Sequence, residues 1–244
     1  MEEWMTDFSA ISKDLVQSLR LQYEPVGINL YGDEEVARLD LSFSEGSFKS
    51  YCHALTAAGK GQTLVLRKEQ MGCKLGTSVL GLETDTEAFL DDGVLEKYGV
   101  GLFATEEASA ATILDSTFLE KGSTKAVRIG PLSACTEQPQ VIVFTADSEQ
   151  VMWLLYAVNY KRGGKMNLPQ SGGALGGCAD ITALPLKNGE PNVTFLGLGC
   201  RLKSATGPSY LMMGMPAGLL NATHKHVMAM AKPIAMLKNA QQPG

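Results

Sequence analysis

Apolar positions recur at helical spacing near the start of the chain, where Ile11, Leu15 and Leu19 form a stripe widened by Val16. That spacing predicts a helix over 7–21. Glu24-Pro25 breaks it, and Val26 to Tyr31 reads as a strand, followed by a short helix from Asp33 to Leu39. A similar passage begins after Gln138-Pro139, with a strand over 140–145 and a helix capped by Asp147 or Ser148 that runs to about Tyr160. Glu34, Val36 and Leu39 in the first helix correspond in spacing to Glu149, Val151 and Leu154 in the second. Further helices are predicted over 51–58, ending at Gly59, and over 178–184, ending before Pro185. Strands follow them at 63–66 and 192–195, and each half closes with a strand running into a Gly/Pro turn, 125–131 and 210–216. The first half carries extra helical material around 84–97 and 105–115, and a Met- and Ala-rich helix over 217–231 is cut by Lys232-Pro233.

The order of these elements is the same in both halves, and so is the placement of cysteine. Cys52 and Cys73 lie 21 residues apart in the first half; Cys178 and Cys200 lie 22 apart in the second. The second member of each pair sits in a Gly-Cys-basic-Leu run, Gly72-Cys73-Lys74-Leu75 and Gly199-Cys200-Arg201-Leu202. This predicts an internal pseudo-repeat of about 22–132 and 137–244. Alternating strands and helices predict an α/β (or α+β) fold, a single layered domain over 1–244 with helices packed on a mixed sheet.

Composition narrows the classes of function. Apolar residues make up 45% and charged residues 19% of 244, enough for a large core and too apolar for a disordered chain. A net charge of −5 excludes a duplex nucleic-acid binder of the ordinary basic kind, and Lys161-Arg162-Gly163-Gly164-Lys165 reads as a solvated loop. No apolar run is long enough to span a membrane, and the acidic start lacks a signal pattern, so the expected location is cytoplasmic. Five cysteines in a chain of this kind are free thiols, ligands or reactive groups rather than a disulfide framework.

Cys52, Cys73, Cys178 and Cys200 are the candidate site. Cys52 and Cys178 fall at predicted helix N-termini, where amide N–H groups favour a thiolate; Cys73 and Cys200 precede a basic residue, which acts in the same direction. Thiolates suit a soft metal or an iron–sulfur cluster, although the spacing is not the C-x2-C of local metal motifs, and buried cysteine often only packs. Two other readings stand beside the cluster: a metal-free small-molecule or thiol-redox protein with reactive cysteines, and a scaffolding module whose cysteines only pack. Cys135 lacks a repeat partner and reads as packing. His53 could orient something beside Cys52; His224 and His226, two apart on a helix, point away from each other and read as surface residues. The Gly-rich segment Ser171 to Gly177 lacks the phosphate-loop pattern. Glu24, Asp33, Asp147 and Asp180 read as caps or turn residues, and the methionines as adaptable packing. Nothing announces a hydrolase.

The run Glu24-Pro25-Val26-Gly27-Ile28, Cys52, Gly72-Cys73-Lys74-Leu75-Gly76, the strand from Pro139 to Phe144, the glycines leading to Cys178-Ala179-Asp180, and Asn192-Val193 with Gly199-Cys200-Arg201 together resemble an uncharacterised prokaryotic family, domain of unknown function 169, from about residue 15 to 230. The resemblance implies the same four cysteines, without Cys135, and no assigned reaction. It adds weight to an expected [4Fe–4S] cluster held between the halves by Cys52, Cys73, Cys178 and Cys200, with zinc as the lesser alternative. Lys74 and Arg201 would neutralise its charge, and amides around Gly72, Gly177 and Gly199 would donate to its sulfurs. The expected partners are a redox or cluster-accepting protein and a second copy of the chain.

Overall fold

The structure is a computed structural model that describes residues 6–36, 48, 50–82, 102–171, 174–204 and 206–240. The strands form one six-stranded sheet: β1 (Val26–Tyr31), β2 (Leu64–Leu66), β3 (Ala126–Pro131), β4 (Val141–Ala146), β5 (Asn192–Thr194) and β6 (Leu211–Pro216), in the order β2-β3-β1-β4-β6-β5. The α/β class is as the alternation predicts. The mixed sheet is not: every pair of neighbours is antiparallel. In each half the first two strands run parallel, but the third inserts between them and pairs antiparallel with both.

Order and register agree across the centre of the sheet. The valine opening each first strand faces the proline closing each third strand, Val26 opposite Pro131 and Val141 opposite Pro216. Each second strand starts two residues before that proline, Leu64 opposite Ile129 and Asn192 opposite Gly214. The halves join where β1 pairs with β4, Ile28 opposite Val141 and Val26 opposite Val143.

Helices cover both faces. On the back lie α1 (Phe8–Leu19), α6 (Ser148–Asn159), α9 (Leu220–Ala229) and α10 (Ala231–Ala240), packed on Ile142, Phe144, Met213 and Met215. The apolar stripe of α1 buries Ile11, Leu15 and Leu19, while Asp7 accepts from the Ala10 N–H at 2.9 Å and caps its start. Asp147 and Gln150 cap α6 reciprocally. On the front, α3 (Tyr51–Gly59), α4 (Lys74–Val79), α5 (Glu106–Leu114), a π-helix (Gly176–Ala183) with its continuation α7 (Leu184–Asn188), and α8 (Leu198–Ser204) cover the sheet. The short α2 (Asp33–Val36) follows β1, so residues 37–39 of the predicted helix lie outside the described residues, as does the helix predicted over 84–97.

Some predicted boundaries shift. The helix at Cys178 begins two residues earlier, as π-helix, and continues through Pro185; the Asp180 carbonyl five residues before that proline accepts from Asn192 Nδ2 at 2.9 Å. The Met- and Ala-rich helix ends at Ala229, close to the predicted cut, and Lys232-Pro233 falls in the first turn of a further helix, α10. The second Gly-Cys-basic-Leu run lies within a short helix, α8, and the first leads into another, α4, with Cys73 just before its start; periodicity reveals neither helix. Among the described residues, no helix is long and apolar enough to cross a membrane.

Candidate functional site

The front layer is built by exchange between the halves. Helix α3, from the first half, packs on α8 of the second; α4, from the first half, packs on the π-helix of the second. Tyr51 at the start of α3 and Thr182 in the π-helix share a hydrogen bond at 3.2 Å, and Thr56 meets Thr206 beyond α8 at 3.3 Å. These crossings close a cavity of about 550 Å³ whose wall includes Cys52, Cys73, Cys178 and Cys200. The rest of that wall is mostly apolar, with Leu75, Phe103, Ile113, Leu175 and Leu196, and Leu198 and Leu202 stand exposed at its edge.

The four thiols differ in access. Cys52 and Cys178 are buried; Cys73 and Cys200 are half-buried. Cys52 is the second residue of α3, whose cap is Ser50, accepting from the His53 N–H at 3.1 Å. Its Sγ lies against Gly177, where a Cβ would come within 2.4 Å of the sulfur. It is also hydrogen-bonded to Cys200. That bond, then the N–H groups of Gly177 and Gly197, hold the Cys200 thiol down to about 7 against the opposing effect of burial. Leu196 precedes Gly197 with a left-handed backbone, φ 63°, a strained conformation for a leucine that turns the chain into α8. The partner thiol moves the other way. Cys52 is raised by its bond to Cys200, by burial, and by the charges of the other three thiols. The two behave as one acid that loses its first proton readily and its second with difficulty. Cys178 is raised by burial, then by the charges of Cys200 and Cys73. The predicted lowering of Cys52 and Cys178 at helix N-termini is therefore reversed: at Cys52 the neighbouring Cys200 thiol and burial outweigh the helix dipole, and at Cys178 burial does.

The expected cluster is not supported. Among the described residues, no group of three or more His, Cys, Asp or Glu side chains is arranged to hold a metal ion. The four cysteines share a cavity wall without forming a ligand set. The expectation of a [4Fe–4S] cluster, and of zinc in its place, is overturned on that geometry, and with it the reading of Cys52, Cys73, Cys178 and Cys200 as metal ligands.

The supporting residues also take different places. The guanidinium of Arg201 donates to the carbonyls of Phe195 (2.6 Å), Tyr210 (3.1 Å), Pro208 (3.3 Å) and Gly207 (3.4 Å), clamping the chain on both sides of α8. Lys74 and Gly72 are exposed, and neither lines the cavity; Gly199 does, as does Lys203. Asp180, read as a cap, is buried in the π-helix and accepts from the Ser171 N–H at 3.1 Å, from the Ser171 hydroxyl, and from Thr194 at 3.2 Å. Cys135 lies on the other face of the sheet, 3.8 Å from an Arg128 nitrogen and packed against Gly27. His224 meets Asp14 at 2.9 Å, and His226 is buried rather than exposed, with Nδ1 2.8 Å from the Ala157 carbonyl and its ring stacked on Tyr160. Tyr51 and Leu196 are site residues that sequence reasoning missed; neither has a local signal, since each acts through a contact made by the fold.

The chain belongs to the DUF169 family, described as uncharacterised ArCR, which it matches over residues 14–226. No curated protein and no solved structure matches the chain significantly.

Proposed function

We propose that this member of the DUF169 family is a thiol-redox protein that admits a small, largely apolar disulfide to its front cavity, with Cys52 and Cys200 as the reacting pair. The observation that carries this reading is that two thiols from different halves come to the wall of one apolar cavity, where Cys52 acts on the Cys200 thiol more strongly than any other group. Cys200 is the partly accessible member and the readier thiolate, so it is the attacking group. Its sulfur attacks one sulfur of the bound disulfide; the ligand S–S bond breaks, one ligand half leaves as a thiolate, and the other stays on Cys200. Cys52 then gives its proton to the departing thiolate and attacks Cys200 Sγ. The second ligand half leaves, and the protein keeps a Cys52–Cys200 disulfide. The protein loses two electrons and the ligand gains them. A reducing compartment such as the cytoplasm would hold all five cysteines as the free thiols seen here.

The test follows release of pyridinethione from dithiodipyridine, a small aromatic disulfide, by the anaerobically reduced protein as pH is varied. A fast phase with its midpoint near 7 is expected. It should disappear in Cys200→Ser, while Cys52→Ser should stop at the mixed disulfide, retained on the protein and visible by mass. Equal, slow reaction of all thiols would overturn the reading. So would stoichiometric iron or zinc blocking the four thiols in freshly purified protein.

A further inference from the structure

The Cys52–Cys200 pair joins a buried helix cysteine of one half to the half-buried Gly-Cys-basic-Leu cysteine of the other. The sheet repeats the same order and register in both halves. The reciprocal combination is Cys178, buried in the π-helix of the second half, with Cys73, half-buried at the start of α4 in the first. Those two elements pack together as α3 packs on α8, and both cysteines line the same cavity.

We infer that Cys73 and Cys178 form a second dithiol on this cavity and take over the disulfide made at Cys52 and Cys200. The inference rests on the proposed dithiol chemistry and extends it. All four cysteines line one cavity, the helices that carry them pack in crossed pairs, and the charges of Cys73 and Cys200 act on Cys178. In the transfer, Cys178 loses its proton and attacks Cys200 Sγ. The Cys52–Cys200 bond breaks, and Cys52 leaves as a thiolate that takes up that proton. Cys73 then loses its proton and attacks Cys178 Sγ, and Cys200 leaves with it. The products are a Cys73–Cys178 disulfide and a regenerated Cys52/Cys200 dithiol, with no net change in electrons. A second small disulfide can then react, so the cavity holds the oxidising equivalents of two disulfides.

Dithiodipyridine also tests this step, added in stages to the full reduced chain, each stage quenched with an alkylating agent and mapped by peptide mass. In wild type, two equivalents should be consumed. Cys52–Cys200 should appear first, then Cys73–Cys178, with Cys135 alkylated throughout. Cys73→Ser and Cys178→Ser should each stop at one equivalent, about a twofold loss of pyridinethione, with Cys52–Cys200 left in place. Wild type stopping at one equivalent with Cys52–Cys200 formed would overturn the relay and leave the first reading standing. Links within each half, Cys52–Cys73 and Cys178–Cys200, would also overturn it. Failure of Cys200 to react at all would remove both. The wild-type map decides without relying on the folding of any variant.

Discussion

Gly177 and Cys52 meet where a methyl group does not fit. A Cβ on residue 177 would lie 2.4 Å from Cys52 Sγ, whereas one on Gly199 would meet nothing among the described residues within 4 Å. Gly177→Ala therefore displaces Cys52 Sγ, the neighbour that acts most strongly on the Cys200 thiol. We expect a loss of about 1–3 kcal/mol in stability and a rise in the pH midpoint of the fast thiol reaction. Gly199→Ala should stay within about 1 kcal/mol of wild type and keep the fast phase. Urea unfolding with the dithiodipyridine assay distinguishes these outcomes, and an unmoved midpoint in Gly177→Ala would show that the pair does not depend on this contact. At this scale the sequence is informative about which cysteines matter and misleading about their ionisation. Repeated spacing picks out four thiols and sets Cys135 apart. It cannot reveal that the fold sets Cys52 against Cys200 of the other half and buries it, the two effects that raise it most.

The π-helix is the element that places most of the site. It can lie directly on the sheet because β6 carries Gly214, where a Cβ would fall 1.8 Å from the Ile181 carbonyl oxygen. Asp180 ties its outer turn to Ser171 and Thr194, and so fixes both ends of the Gly-rich segment leading to Cys178. Burial raises the Asp180 carboxyl, and the hydrogen bonds from Ser171 and Thr194 only partly offset it. A carboxyl raised in the folded state contributes stability that is complete below its unfolded value, ~3.9, and is lost as pH rises through the folded value. The urea midpoint of wild type should accordingly fall across that window, and Asp180→Asn should flatten the fall. The Asp180 charge also opposes the Cys200 thiolate, so the same variant should move the fast thiol phase to lower pH. An unchanged slope together with an unchanged phase would show that Asp180 ionises alike in the folded and unfolded chain and that its charge does not reach Cys200. The π-helix is legible only in outline: the glycines before Cys178 signal close approach, but the place where its backbone meets the sheet, Gly214, is distant in sequence.

At the scale of the whole molecule, the site exists only because two halves cross. Each half alternates strands and helices in the same order, which the sequence displays, and alternation ordinarily suggests parallel neighbours. It is silent about the insertion of each third strand between the first two, which makes the sheet antiparallel, because strand order depends on tertiary contacts. The pairing of Cys52 with Cys200 is hidden for the same reason: local spacing links Cys52 to Cys73, and only the crossing of α3 over α8 links it to the other half. This arrangement makes the halves interdependent. Residues 138–244 alone would expose the edge of β4, with Val141 and Val143 fully buried in the whole chain, and would leave the π-helix without α3 and α4. An open apolar edge favours association over folding. We expect the isolated segment 138–244 to show no cooperative urea transition in the fluorescence of Trp153, its one tryptophan, and to recover one when mixed with segment 1–137. The mixture should also regain the fast thiol phase, because Cys52 comes from one segment and Cys200 from the other. A cooperative transition in the isolated segment would make each half a folding unit in its own right and the cavity a docked interface between two domains.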